Sequence, residues 1–220
     1  MTCPFLAACP DPLRAVLVAF TGAALLTWIL SFAAGRIATR IGWIDRPGGL
    51  KTHAVPTPYG GGVAILLGLL LALAPVGAYR SPEIGVILVA ALLILLGGVW
   101  DDWRPMNAFK KLSVQALAGG ILVFFDVQLK IAVLPVWLNE SLTVFWVVAV
   151  TNAVNLTDIM DGLCGTVCGI ASFTFGLILL LTGDPEPAVL AFALSGALAG
   201  YLPHNFHPAR LFMGDTGAQF

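Results

Sequence analysis

The stretch IGVILVAALLILLGGVWDD, residues 84–102, runs through seventeen apolar or glycine residues and ends on two carboxylates. A soluble helix of this length would show a polar face, and this one has none. An α-helix rises ~1.5 Å per residue, so roughly 20 apolar residues cross the hydrocarbon of a bilayer. The run is therefore predicted to cross a membrane, with Asp101 and Asp102 emerging together where it leaves the lipid.

Six further runs repeat the pattern, at about 14–35, 61–79, 112–126, 140–154, 164–182 and 188–203, each limited by charge, Gly or Pro. The shorter ones must borrow flanking residues, tilt, or sit in thinned bilayer. Composition agrees: 59% of residues are apolar and 10% charged, against roughly 25% charged in an average soluble domain. The expected fold is all-α, a polytopic membrane protein of about seven transmembrane helices in one domain covering residues 1–220. Residues 127–139, with Lys130, Pro135 and Asn139, are too polar to cross and read as an outer hairpin.

Eight of the eleven Lys and Arg residues fall after runs one, three and seven: Arg36, Arg40, Arg46, Lys51, Arg104, Lys110, Lys111 and Arg210. Arg14, Arg80 and Lys130 fall on the other side. The positive-inside rule puts the first group in the cytoplasm and the amino terminus outside. The same threading carries Asp45, Asp101, Asp102, Asp158, Asp161 and Asp215 to the cytoplasmic face. The net charge of −1 offers no global basic field, which excludes nucleic acid as a partner. Cys3, Cys9, Cys164 and Cys168 have no metal-site spacing with histidine, so neither disulfide nor zinc is expected. Leu6-Ala7-Ala8-Cys9 superficially resembles a lipoprotein cleavage box, but no basic stretch precedes it and it reads as an outer tail.

Four polar constellations interrupt the predicted cytoplasmic side. Asp101-Asp102 repel each other, which raises a pKa or recruits a cation, and Mg²⁺ favours one or two carboxylates with phosphate oxygens. As a bare pair they read equally well as a solvated helix end. Asn152, Asn155, Asp158 and Asp161 recur every three residues out of an apolar run. Amides suit a base, ribose or sugar, and carboxylates suit metal or hydroxyl protons. His204, Asn205, His207, Arg210 and Asp215 gather around Gly214 and Gly217, whose flexible backbone lets main-chain amides approach a phosphate. The first inner loop runs from Asp45 through Lys51 and His53 to Pro56, Pro58 and Gly60-Gly61-Gly62. It suits a basic clamp on a diphosphate, or a turn on anionic lipid headgroups.

In this order the four patterns resemble the polyprenyl-phosphate N-acetylhexosamine-1-phosphate transferases, glycosyltransferase family 4. The match runs from Asp45 to Asp215, and the first loop is similar to the branch that acts like an undecaprenyl-phosphate GlcNAc-1-phosphate transferase. The resemblance implies transfer of a HexNAc-1-phosphate from a UDP-N-acetylhexosamine such as UDP-GlcNAc to undecaprenyl or another polyprenyl phosphate, with release of UMP. The setting it implies is synthesis of cell-wall, teichoic-acid or lipopolysaccharide precursors at the bacterial inner membrane, with the active site on the cytoplasmic face. It further implies Mg²⁺, with Mn²⁺ as a substitute, contact with membrane lipids, and a homodimer.

Carried over by position, Asp101, Asp102, Asp158 and Lys111 are the implied catalytic residues, with Gln115 completing Lys-x-x-x-Gln. Lys51, His53, Asn152, Asn155, Asp161, Asn205 and Phe212 are the implied substrate contacts, the last two toward uridine. Asp215, Asp101 and Asp102 are the implied metal ligands. Residue types leave open whether Asp101 or Asp102 deprotonates the lipid phosphate or an Asp first forms a covalent intermediate; direct displacement needs fewer steps. Leu50 stands where the family has Arg, and Ile159 where it has Gly, which would crowd a nucleotide or shift the turn. The family continues past its Gly-Asp motif through further helices and a His-rich loop, so the resemblance also implies a fragment or truncated form. Two other classes compete. An intramembrane Mg²⁺-dependent prenyltransferase would need a second Asp-rich repeat, and a transporter would need ionisable groups near the bilayer midplane.

Overall fold

The computed structural model describes residues 11–47 and 55–220. Its elements are α1 (Pro12–Ile41), β1 (Ile44–Asp45), β2 (Thr57–Pro58), α2 (Gly61–Leu73), a single 3₁₀ turn (Ala78–Arg80), α3 (Pro82–Trp103), α4 (Ala108–Phe124), α5 (Val136–Thr157), α6 (Leu163–Thr182), α7 (Pro185–Asn205) and α8 (Gly214–Ala218). The only departure from all-helix among the described residues is the two-residue antiparallel pairing of β1 with β2, Ile44 opposite Pro58 and Asp45 opposite Thr57.

Helix boundaries follow local chemistry. Asp11 accepts from Leu13 N at 3.0 Å to cap α1, and Pro occupies the first helical position of α1, α3 and α7, where its missing N–H would have had no partner. The expected run 61–79 ends early, at Leu73, just ahead of Pro75, whose ring removes the N–H that would continue the helix. The expected outer hairpin is shorter than 127–139, since α5 already begins at Val136 behind Pro135. What remains is tied to α5: Leu129 N donates to Thr143 Oγ1 at 3.0 Å and Ile131 N donates to Asn139 Oδ1 at 3.2 Å.

Each of the seven expected runs contains one helix, but among the described residues only four helices, α1, α3, α6 and α7, are both long and apolar enough to cross a membrane. At 13 and 17 residues, α2 and α4 are short. The 22-residue α5 carries Asn139 and Glu140 near one end and Asn152 and Asn155 near the other.

Packing relies on small residues. Gly196 and Gly200 of α7 lie against the backbone of α1, where an added Cβ would come within 2.2 Å of Phe20 O and 2.0 Å of Ala24 O. This Gly-x-x-x-Gly contact brings two apolar helices together without a hydrophobic gain, through close van der Waals approach. The Thr27 side chain of α1 fills the space that a Cβ on Gly68 of α2 would take. Tyr201 of α7 is completely buried, and its hydroxyl donates to Leu211 O at 3.0 Å. That bond ties the chain after α7 to the helix bundle.

Candidate active site

The end of α3, the start of α4, the end of α5, the start of α6 and the segment after α7 meet at one end of the bundle. Asp102 makes the central joint. Its Oδ1 accepts from Asp215 N at 2.9 Å, and its Oδ2 accepts from Thr216 N at 3.1 Å and Thr216 Oγ1 at 2.5 Å. One carboxylate from α3 thus caps the first turn of α8. The approach requires glycine: Gly214 has φ +67°, and a Cβ there would lie 2.7 Å from Asp102 Oδ2. Gly98 and Gly62 allow α8 to lie against the backbones of α3 and α2, since a Cβ at either would come within 2.5 Å of an α8 main-chain atom.

Asp101 turns the other way. It accepts from Met106 N at 2.5 Å, and Lys111 Nζ stands 3.0 Å from both Asp101 Oδ2 and Asp215 Oδ1. The Asp101 and Asp215 side chains are 8% and 29% exposed. A single ammonium therefore bridges one enclosed and one open carboxylate. Further along α4, Gln115 is fully buried, accepts from Asn152 Nδ2 at 2.6 Å and donates to Gln219 Oε1 at 3.2 Å. Lys111 and Gln115 fall on one helix face, so this amide chain fixes the rotation of α4 that aims the lysine.

The turn between α5 and α6 carries Asp158 and Asp161. Asp161 Oδ2 accepts from Ala209 N and pairs with His207 Nδ1, each at 3.1 Å. Asn205 is 2% exposed; its Oδ1 accepts from Gly162 N at 2.9 Å and its Nδ2 donates to Leu211 O at 3.1 Å. A ligand contact through its side chain would first have to open those bonds. Ile159 stands 73% exposed on this turn, and the left-handed position falls on Gly162, φ +75°.

Asp158 differs from the other acids in that no donor reaches its carboxylate among the described residues. Burial, reinforced by the nearby charges of Asp215, Asp102 and Asp161, pushes its pKa up to about 8. Asn155 lies one turn before it on α5. Lys51 and His53 fall outside the described residues, as does Leu50.

Tyr59 is a site residue that the sequence reading passed over. Its ring packs against Trp43 and Phe212, with centroids at 6.1 Å and 6.4 Å. Phe212 is held by its backbone, N to Pro58 O at 2.9 Å and O from Gly61 N at 3.0 Å. Burial raises the Tyr59 pKa, and the charges of Asp45, Asp102 and Asp215 raise it further, so the phenol stays a donor beside the acids. The only sequence signal was its place between Pro58 and Gly60.

Among the described residues no three His, Cys, Asp or Glu side chains converge as a ready metal site. Asp101 and Asp102 have their oxygens occupied by internal donors. Among the described residues no donor reaches Asp158, and Asp215 is paired with Lys111 while its side chain stays 29% exposed. Mg²⁺ takes one or two carboxylates and completes its shell with phosphate and water; Asp215 offers one, and Asp158, pushed up to about 8 by burial, offers a second only on losing its proton.

Comparison with known proteins bears on the same residues. The profile described as glycosyl transferase family 4 matches residues 84–220, from α3 through α8. A probable undecaprenyl-phosphate N-acetylglucosaminyl 1-phosphate transferase of Bacillus subtilis is 32% identical over 213 residues, covering 93% of this chain and 60% of that protein. A decaprenyl-phosphate N-acetylglucosaminephosphotransferase of Mycobacterium tuberculosis is 32% identical over 233 residues, covering 94% and 58%. A phospho-N-acetylmuramoyl-pentapeptide-transferase of a Synechococcus strain is 37% identical over 232 residues, covering 95% and 64%. The chain thus spans about three fifths of the length of the curated relatives it matches. Since the matched profile spans the paired aspartates, the bridging lysine and the α8 turn they hold, the chain belongs to glycosyl transferase family 4.

Proposed function

We propose that this chain carries the catalytic face of an enzyme that moves N-acetylglucosamine 1-phosphate from its UDP donor to a polyprenyl phosphate such as undecaprenyl phosphate, releasing UMP, in cell-envelope polysaccharide synthesis. The observation that carries the reading is the lysine-bridged pair Asp101–Lys111–Asp215, with Asp215 in electrostatic reach of Asp158, whose carboxyl no donor meets among the described residues. Such a site attracts a polyanion only together with a divalent cation, as a nucleoside diphosphate arrives. The names of the Bacillus and Mycobacterium relatives support the sugar and the lipid acceptor.

In this reading seven helices cross the bacterial inner membrane with the amino terminus outside, and the site faces the cytoplasm. Mg²⁺, held by Asp215 and Asp158, would supply charge neutralisation at the diphosphate. The rest falls to the protein. Lys111 offers a fixed positive charge, Tyr59 a phenolic donor, and the α8 turn a backbone held rigid by Asp102, so that the reacting groups are positioned before reaction. The lipid phosphate attacks the sugar-linked phosphorus and UMP leaves. A phosphate monoester's second pKa of ~6 leaves the nucleophile largely ionised at neutral pH, so no strong base is required.

The test incubates membranes containing this chain with polyprenyl phosphate, radiolabelled UDP-GlcNAc and Mg²⁺, and measures labelled lipid and UMP, while calorimetry follows UMP binding to the purified chain. Expected are product and Mg²⁺-dependent UMP binding, both lost in Asp215→Asn and with EDTA. Absence of Mg²⁺-dependent UMP binding, together with no product from any UDP-N-acetylhexosamine, would overturn the proposal.

A further inference from the structure

A second cleft, of about 570 Å³, opens between α1, β2 and the segment after α7, and none of the acids just described nor Lys111 lines it. Its wall carries three arginines, Arg36, Arg40 and Arg210, with Ser31, Pro58 and His204 behind them. Among the described residues no carboxylate pairs with any of the three guanidinium groups. Arg210 is fixed by its backbone, since Arg210 N and Leu211 N donate to His204 O at 2.9 Å and 3.1 Å. His204 is fixed in turn, its Nε2–H donating to Trp28 O at 3.2 Å. The backbone that carries Arg210 is thus fixed in the same cleft as the two arginines of α1.

Ser31 supplies an independent observation. It lines the cleft, is 2% exposed, and its Oγ has no hydrogen-bond partner. A buried hydroxyl in that state lacks an acceptor. Positions 32, 36 and 40 lie along one face of α1, and the span from Ser31 to Arg40 is roughly 14 Å at helical rise. Below the arginines the outer surface of α1 continues apolar, with Leu25, Trp28, Ile29 and Phe32 each more than 40% exposed. Cationic groups at the end of a membrane-length helix, a hydroxyl deeper in, and an apolar track beneath them match an amphiphile with an anionic head.

We infer that this cleft binds the phosphodiester headgroup of an anionic membrane lipid, its chains lying along the exposed face of α1. The apolar track argues for a lipid over free phosphate, and the absence of every site acid from the lining argues for a resident lipid over a reacting one. The inference does not depend on the transferase reading.

The test titrates the delipidated full chain in neutral detergent with phosphatidylglycerol, phosphatidylcholine and glycerol phosphate, and measures retention by native mass spectrometry. Phosphatidylglycerol is expected to bind in preference to the other two. Loss of roughly fivefold in affinity per arginine is expected from the attraction of basic residues to anionic lipid, about a hundredfold for Arg36→Gln, Arg40→Gln and Arg210→Gln together. The charge-matched control Arg46→Gln, Arg104→Gln and Lys110→Gln should stay within about twofold, the size of a non-specific charge effect at a distance. Ser31→Ala, which preserves the fold, should weaken binding roughly threefold, the scale of one net hydrogen bond. Equal loss in the control, unchanged binding in both Ser31→Ala and the triple variant, or glycerol phosphate binding as tightly as the lipid would overturn the inference. So would displacement of phosphatidylglycerol by an equimolar amount of polyprenyl phosphate, which would assign the cleft to the acceptor.

Discussion

Thr216→Val removes a single hydroxyl from the joint between α3 and α8. Thr216 is fully buried, and its Oγ1 is one of three donors on Asp102. Valine has nearly the same shape, so no cavity forms and the two N–H bonds stay. A hydrogen bond to a charged group contributes roughly 1.5–3 kcal/mol net, and with Asp102 still doubly bonded the loss should sit at the low end, about 1.5 kcal/mol. Asp102→Asn keeps the shape but turns one acceptor oxygen into an NH2 donor, so at least the Asp215 N bond is lost and the two to Thr216 lose their charge. Neutral bonds are about half as strong, so the expected loss is about 3 kcal/mol. In the Asn background Thr216→Val should then cost only about 0.5 kcal/mol, a coupling of about 1 kcal/mol. Denaturant unfolding of the four proteins in mixed micelles, followed by circular dichroism, measures the cycle. A Thr216→Val change below about 0.5 kcal/mol, or strict additivity of the two substitutions, would refute the claim that this carboxylate holds α8 in place.

Asp158 makes stability depend on pH. Its folded pKa of about 8 lies above the ordinary carboxylate value, so its contribution is fully present below about pH 4 and is lost as pH rises through about 8. Thermal unfolding between those limits should show a decline that Asp158→Asn removes; an unchanged slope would count against the burial assigned to it. Gly200→Val should lower stability by about 1–3 kcal/mol or more, because α1 and α7 must separate. Gly85→Ala, where nothing lies within 4 Å, should be neutral or gain about 1 kcal/mol. Equal effects at the two glycines, read by thermal unfolding, would remove the argument from backbone contact.

Much of the fold was legible because hydrophobicity and punctuation are local signals. The seven runs each hold a helix, and Pro12, Pro82 and Pro185 mark starts that the charges alone blurred. What sequence could not supply was where an apolar run stops being helix. Residues 61–79 read as one stretch, yet Pro75 breaks it and leaves α2 with 13 residues. The roles of Gly196 and Gly200 were equally hidden, since a helical glycine declares nothing until the helix that touches it is known.

The site was legible as an inventory and not as a division of labour. Read in sequence, Asp101, Asp102, Asp158, Asp161 and Asp215 are alike. In the fold, three are bound by the protein's own donors: Asp101 to Met106 N and Lys111, Asp102 to α8, Asp161 to Ala209 N. Among the described residues no donor reaches Asp158, Asp215 stays partly exposed, and Lys111 is the charge that lets Asp215 sit near Asp101 at all. The repulsion that makes adjacent carboxylates look like a metal site is relieved differently at each one. Asp101 and Asp102 point to opposite partners, one to a lysine and one to a helix end, so their adjacency in sequence reflects two structural jobs that converge on the same residue, Asp215. Chemistry at this end of the bundle therefore depends on how firmly that one carboxylate is held from both sides.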